Sequence, residues 1–318
     1  MDKYYNIRIL NSNYKSLGYV TATANIKDKH DRSAPSDFHW KILKCRMIIF
    51  SHSSVIASPD KSDIKKVHII FPRRGEDYDL LNSLFLRFSL VQEGDIRNVD
   101  DEIYKTCFYY TMGAKIAPLW NMLGHNYFIN NRSFLTTSGP QEGIKCILTI
   151  NANVLNLELK PVKINLMRSK EKFFPGEWIR VLPSLNKAIV EEYYENVPKI
   201  GDFKSYKDLR RHWKNIHGYR LPEEERPCYS VRFWRGDPLT YPDVCLVRAF
   251  PIITPMPKSS ERSILAQFVN CLKTKMQFIL GTSINFINNQ DEGNVEMQFM
   301  ETQAVSLCTP TQQKTNKM

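Results

Sequence analysis

Period-two and period-3.6 segments follow one another along this chain without the strict strand–helix–strand order of a parallel, doubly wound sheet. That irregular order is the strongest constraint on the fold. Parallel neighbours need a long crossover between strands, usually a helix, whereas antiparallel neighbours need only a turn. The pattern therefore selects an α+β class. We expect two lobes. Residues 1–140 read as an α+β lobe with a mixed sheet and packed helices. Residues 141–287 read as an α+β lobe of mostly antiparallel sheet with helices, and 288–318 as a polar tail expected to be disordered. The loop signal "SGPQEG", Ser138 to Gly143, marks the boundary.

Along the first lobe, "YYNIRIL" and "LGYVTATANI" read as strands and are expected to pair as a hairpin. "FHWKILKCRMIIFSHSSVIASP" carries Trp40, Leu43, Met47 and Phe50 at helical spacing, with Pro35 near the start and Pro59 as the stop. "KKVHIIFP" is a strand, and "DYDLLNSLFLRFSLV" a helix with an acidic first turn. The run from Asp100 reads as a short helix, a proline-marked break and a strand ending near Ile129.

In the second lobe, "LNLELK" alternates as a strand does. "PSLNKAIVEEYYENVP" reads as a helix opened by Pro183 and Ser184 and closed before Pro198. "CYSVRFW" and "DVCLVRAF" read as strands joined through the turn "RGDPLTYP". The last helix carries Ile264, Phe268, Cys271, Leu272 and Met276 on one stripe. "PIITPMP", Pro251 to Pro257, reads as an extended crossover.

The densest stretch is "SYKDLRRHWKNIHGYRLP", Ser205 to Pro222. Ser205 suits an N-cap, with Asp208 three residues on. Tyr206, Leu209, Trp213 and Ile216 form an apolar stripe. Gly218 suits the position after the helix and Pro222 forbids continuation. Lys207, Arg210, Arg211 and Lys214 lie off the stripe, with Lys204 and Arg220 flanking. These six are the candidate phosphate contacts. Trp120, His125, Trp213, Gly218, Tyr219 and Pro222 are assigned structural roles.

The search for chemistry is short. Neither GxxxxGK[ST] nor GxGxxG is present, nor a GxSxG elbow. His212 and His217 are five residues apart, about 140° around a helix, so their spacing argues against a shared zinc face. His30 and His39 lie in and beside a loop. No HExxH or CxxC pattern occurs, and the seven cysteines are scattered, as in buried free thiols of a reducing compartment. Gly124–His125 with Cys107 upstream is a conceivable nucleophile pair, but core packing beside Trp120 is the preferred reading. We assign no catalytic residue, metal ligand or cofactor.

Hydrophobic residues at 42% and charged residues at 24% of 318 are enough to bury a core. No apolar run is long enough to cross a membrane, and the N-terminus lacks a signal-peptide pattern. An intracellular protein, nuclear or cytoplasmic and without a membrane partner, is expected, and the Asn131 sequon is then idle. The formal net charge of +11 favours acidic partners. The preferred reading is a non-enzymatic interaction or scaffold domain with an unknown protein partner. The alternative is a nucleic-acid-binding protein using the basic helix around 204–220. An enzyme of unrecognised type ranks third.

Several segments, in order, carry a resemblance: "WKILKCRMIIF" with "IASP", "AKIAPLWNMLGHNYFI" before "SFL", "WIRVLPSLNKAIVEEYY", "FKSYKDLRRHWKNIHGYRLP" and "LTYPDVCLVR". From about Trp40 to Leu280 the chain is similar to the uncharacterised chromosome 18 open reading frame 63 family, a domain of unknown function. That resemblance implies no activity, cofactor or site residue.

Overall fold

The computed structural model describes residues 5–10, 16–24, 37–151, 154–169, 171–198, 203–234 and 236–288. The expectations for His30, Pro35, Cys308 and the polar tail beyond residue 288 lie outside the described residues.

The chain opens with strand β1 (Tyr5–Leu10) and β2 (Leu17–Ala24). They do not form the expected hairpin. β1 pairs with strands near the middle and end of the chain, and β2 enters a different sheet. Both are correctly read as strands, but adjacency in sequence does not decide pairing when each has a better-buried partner. Helix α1 (Asp37–Ser51) follows. It stops at Ser51 rather than running on to Pro59, and Ile56–Pro59 is instead strand β3. Val55, Ile56 and Ala57 are all buried, which a one-sided helix would not give. His39 thus lies in the first helical turn rather than in or beside a loop.

Strand β4 (Lys66–Pro72), helix α2 (Gly75–Arg87) and strand β5 (Leu90–Arg97) complete an antiparallel four-stranded sheet in the order β3-β4-β2-β5. Its core takes Ile48 and Ile49 from α1 and Leu81 and Phe85 from α2. Helix α3 (Asp101–Ile116) is capped by Asp100, whose side chain accepts from the Ile103 amide at 2.8 Å. It is longer than the sequence pattern suggests.

Strands β6 (Trp120–Leu123), β7 (Tyr127–Asn130), β8 (Gln141–Asn151) and β9 (Val154–Asn165) form a meander. On β9 alternate residues are buried from Val154 to Pro161, as a strand with one core face requires. β1 pairs with the first half of β9, so this sheet draws strands from both sides of residue 140.

Strands β10 (Trp178–Val181) and β11 (Asn186–Tyr194) form a hairpin. Here the expected helix over Pro183–Pro198 is wrong. A tight turn at Leu185 (φ 61°), whose amide bonds the Val181 carbonyl at 2.7 Å, returns the chain. Ala188 and Val190 then point inward with period two. The apolar residues of "AIV" fit either period; the pairing of β11 with β10 and the next strand decides.

Helix α4 (Tyr206–His217) has the predicted bounds. Strands β12 (Cys228–Arg232), β13 (Leu239–Pro242) and the two-residue β14 (Leu246–Val247) complete a five-stranded sheet ordered β13-β12-β11-β10-β14. "LTYP", read as turn, is thus strand, and "DVC", read as strand, is a single 3₁₀ turn, Asp243–Cys245. β15 (Ile252–Pro255) adds to β9, so "IITP" is a sheet edge. Helix α5 (Lys258–Lys275) buries Ile264, Phe268 and Leu272 against the large sheet and α3. The short pair β16 (Phe278–Ile279) and β17 (Thr282–Ser283) leads to β18 (Asn285–Asn288), which closes on β1 and makes the large sheet seven-stranded. Every strand pair is antiparallel among the described residues, and with five helices the class is α+β.

Candidate functional site

Helix α4 is built from local chemistry. The Ser205 hydroxyl accepts from the Asp208 amide at 3.2 Å and donates to the Asp208 carboxylate at 2.9 Å. Gly218 takes φ 77° and its amide bonds the Lys214 carbonyl. A Cβ at this position would lie 2.7 Å from the Ala117 Cβ, so glycine is required by approach as well as by torsion. Tyr206, Leu209 and Trp213 of the apolar stripe sink into the core of the five-stranded sheet, where Trp213 meets Tyr241 edge-on at 5.3 Å. Tyr219 donates to the Met122 carbonyl, and Tyr206 to that of Pro222 at 3.3 Å.

The six basic candidates on and around this helix separate into groups. Arg210 pairs with Glu223 at 3.4 Å and Arg211 with Asp208 at 3.6 Å. Lys204 and Lys207 are exposed. Lys214 and Arg220 behave differently. They converge on a furrow of about 550 Å³ between α4 and α1. Its walls carry Leu43, Arg46, Met47 and Phe50 from α1, and Ala117 and Pro118 after α3 form part of its lining. A second hollow of about 540 Å³ continues from Phe50 and Ala117 to His52, Lys115 and Lys275.

Five cations therefore line these two adjoining hollows, which share Phe50 and Ala117: Arg46, Lys214 and Arg220 in the first, Lys115 and Lys275 in the second. No aspartate or glutamate lines either part. None of the five has an ion-pair partner among the described residues, whereas Lys66, Arg226, Arg232 and Arg248 each meet a carboxylate. Phe50, 57% exposed, stands where the two hollows join, with the Arg46 guanidinium 5.4 Å from its ring centroid. Burial pulls the Lys115 ammonium below its ordinary pKa. A third hollow, about 330 Å³, offers the contrast. Its cations Arg168, Lys172 and Arg226 share the lining with Glu171 and Asp243.

Sequence reasoning found Lys214 and Arg220 but not their partners. The available signal was the basic knot around Lys41 to Arg46, yet only Arg46 of that knot reaches the furrow. Lys41 is buried and donates to the carbonyls of Asp60 and Asp63 at 2.6 and 2.7 Å. Lys44 lies over the Trp40 ring.

The histidines overturn the spacing argument. His39 of α1 and His212 and His217 of α4 place one ring nitrogen each within 4.8 Å of the others. The 140° between positions 212 and 217 describes where the side chains leave the helix. Both flank the buried stripe, from opposite sides, and His217 lies against Trp213 at 4.7 Å between ring centroids. The rings converge over that stripe, where His39 meets them. His39 and His212 are 4% and 7% exposed. Burial pulls the His39 imidazole down to about 4. Burial, then neighbouring His39, pulls His212 down to about 3, and His217 is held well below its ordinary value by burial, His212, His39 and Arg46. All three are neutral at pH 7.

Elsewhere, Tyr19, His68 and Asp60 form a chain, with Tyr19 Oη 2.7 Å from His68 Nδ1 and His68 Nε2 2.9 Å from Asp60 Oδ2. It ties β2 to β4 and the loop before it. His125 is exposed while Cys107 is buried and reaches the His68 carbonyl, so these two are not a nucleophile pair, and His125 is not core. Trp120 is core, edge-on to Phe268 at 5.0 Å. Burial raises the thiol pKa of Cys45, Cys107, Cys146, Cys228, Cys245 and Cys271. No helix among the described residues is long and apolar enough to cross a membrane.

A family model described as a domain of unknown function, DUF4708, matches residues 20–174 and 167–256, which include the furrow residues up to Arg220 and all three clustered histidines. Among solved structures, the chain is similar to the Argonaute of Marinitoga piezophila in complex with guide RNA and target DNA, at 10% identity and a TM-score of 0.35 over 87% of this chain and 35% of that one. The guide-RNA complex of the same protein gives 11%, 0.36, 85% and 35%. The Argonaute of Methanocaldcoccus janaschii in complex with guide DNA gives 8%, 0.34, 90% and 42%. The chain thus spans about a third to two fifths of the length of these proteins. At such TM-scores the likeness carries no argument about this chain's ligand.

Proposed function

Since the chain belongs to the family of the domain of unknown function DUF4708, which brings no activity with it, we propose a function from the furrow: a non-enzymatic domain that holds single-stranded nucleic acid between α1 and α4. The motifs quoted above support the narrower placement in the chromosome 18 open reading frame 63 family. The observation that carries the functional reading is the set of five cations, Arg220, Lys214, Arg46, Lys115 and Lys275, in two adjoining hollows with no lining carboxylate. Unpaired cations held side by side repel one another, and a polyanion relieves that repulsion. Phe50, which lines both hollows, supplies an exposed face on which a base can stack. A duplex is disfavoured because its bases are already stacked. A protein strand is disfavoured because the main walls are helices, which offer no strand edge for pairing.

The test is fluorescence anisotropy with a labelled single-stranded oligonucleotide, the matching duplex and an acidic peptide of equal charge. Single-stranded nucleic acid is expected to bind most tightly. K214E/R220E/K275E should abolish binding, whereas K207E/R210E/R211E on the outer face of α4 should retain most of it. Tighter binding of the peptide, or equal loss in both variants, would remove the furrow from the account and return the chain to the scaffold reading.

A further inference from the structure

We propose that His39, His212 and His217 form a metal site that binds one divalent transition ion, Zn²⁺ by its ligand set, and that the ion clamps α1 to α4. This goes beyond the furrow and does not depend on what the furrow holds.

The ligand set is the first support. Three imidazoles face one cavity of about 10 Å³ whose other walls are Phe203, Trp213, Leu239, Thr240 and Tyr241. Neither carboxylate nor thiol lines it. Imidazole nitrogen suits zinc, copper, nickel and iron, while the absence of carboxylates excludes the oxygen-seeking Mg²⁺ and Ca²⁺. The cavity is close to the volume that one water occupies. Three protein nitrogens and one small ligand complete a tetrahedron.

The second support is an unsatisfied atom. His212 Nδ1 is buried and has no hydrogen-bond partner among the described residues. A buried polar atom left unpaired costs about 1–3 kcal/mol, so such atoms call for an explanation, and an ion is one. The third is distance. Nitrogens at 2.0–2.1 Å from a tetrahedral ion stand about 3.3 Å apart. The observed limit of 4.8 Å is within reach of modest side-chain rotation, without movement of either helix.

One neighbour works against a bare cation. A guanidinium nitrogen of Arg46 lies 3.4 Å from where a Cβ on Gly218, the residue after His217, would stand. The site therefore favours an ion that keeps an anionic fourth ligand, such as hydroxide or chloride.

The test uses the full chain, purified without a histidine tag and dialysed against metal-free buffer. We expect about one Zn²⁺ per chain, an X-ray absorption fine structure with three imidazole nitrogens, and tetrahedral d–d absorption when Co²⁺ replaces zinc. H39Q and H212Q should each weaken Zn²⁺ binding at least tenfold while the far-ultraviolet circular dichroism is kept. If a variant fails to fold, the parent's ligand count decides: three imidazoles uphold the site and any other set overturns it. A parent chain that neither retains Zn²⁺ nor takes up Co²⁺ overturns it, as does equal affinity in folded H39Q.

Discussion

Salt dependence of single-strand binding tests the furrow most directly, because the structure fixes how many phosphates it can neutralise. Five cations line the furrow and the hollow beside it. For single strands log K falls with log salt at about 0.7 per phosphate neutralised, so five contacts give a slope of about −3.5. Between 50 and 200 mM salt, affinity should then fall about 100-fold. Replacing Lys214, Arg220 and Lys275 by alanine leaves two cations, so the slope should shrink to about −1.4 and the loss over the same range to about sevenfold. These three side chains are exposed, so the substitutions should change stability little. Phe50→Ala should act differently. Removing one stacking face costs about 1–3 kcal/mol of affinity and leaves the slope unchanged. The assay is anisotropy of a labelled oligonucleotide titrated at four or more salt concentrations. A parent slope near zero would refute the reasoning. So would a triple variant with the parent's slope, or a K207A/R210A/R211A variant that flattens the slope more than the furrow triple.

Gly218→Ala should destabilise the fold by about 2–4 kcal/mol, since it combines a left-handed torsion with a Cβ 2.7 Å from that of Ala117; urea denaturation showing a loss below about 0.5 kcal/mol would contradict this. For Asp60, burial raises the carboxyl pKa but is outweighed by hydrogen bonds from the Asp63 and Ser62 amides and the Ser62 hydroxyl and by nearby His68, so the net shift is downward. A lowered carboxyl pKa stabilises the fold above the unfolded value of about 4 and ceases to do so as pH falls through the folded value. The urea midpoint of the parent should therefore exceed that of D60N at pH 7, and the gap should narrow below about pH 4; a constant gap would count against the assignment. Finally, Zn²⁺ should raise the affinity for single-stranded nucleic acid, and nucleic acid the affinity for Zn²⁺, by the same factor; equal oligonucleotide affinity with and without the ion would exclude coupling.

What the sequence made legible was local. Helix α4 could be bounded from Ser205, Asp208 and Gly218 because caps and stops act within a turn of the backbone. β9 was readable because its alternation is long and clean. Residues 186–194 were misread because a three-residue apolar run fits both periods, and only pairing with β10 and β12 settles it. β1 and β2 were seen as strands but wrongly paired, since the partners of β1 lie about 150 and 280 residues later. The sites were least legible. Lys115, Lys275 and Phe50 come from three helices, and nothing local distinguishes them from solvated lysines or a core phenylalanine. His39 lies 173 positions before His212, so no spacing rule could join them.

Arg46 explains why the two sites should communicate. Its side chain lines the furrow and leans on Phe50, and its charge also depresses His217, the residue before Gly218. With the furrow empty, that guanidinium opposes a cation among the histidines. A phosphate in the furrow neutralises it and removes the opposition. In the other direction, an ion holding His39 to His212 and His217 fixes α1 against α4, and with them the separation of Phe50 and Met47 from Lys214. An element that both ligands bias, here the α1–α4 packing, is what energetic coupling requires. The sign is positive by both routes, because neutralising Arg46 and fixing the helices each favour the second ligand. Removing the charge of Arg46 should thus ease metal binding in the empty protein while weakening the furrow, so one substitution moves the two affinities in opposite directions.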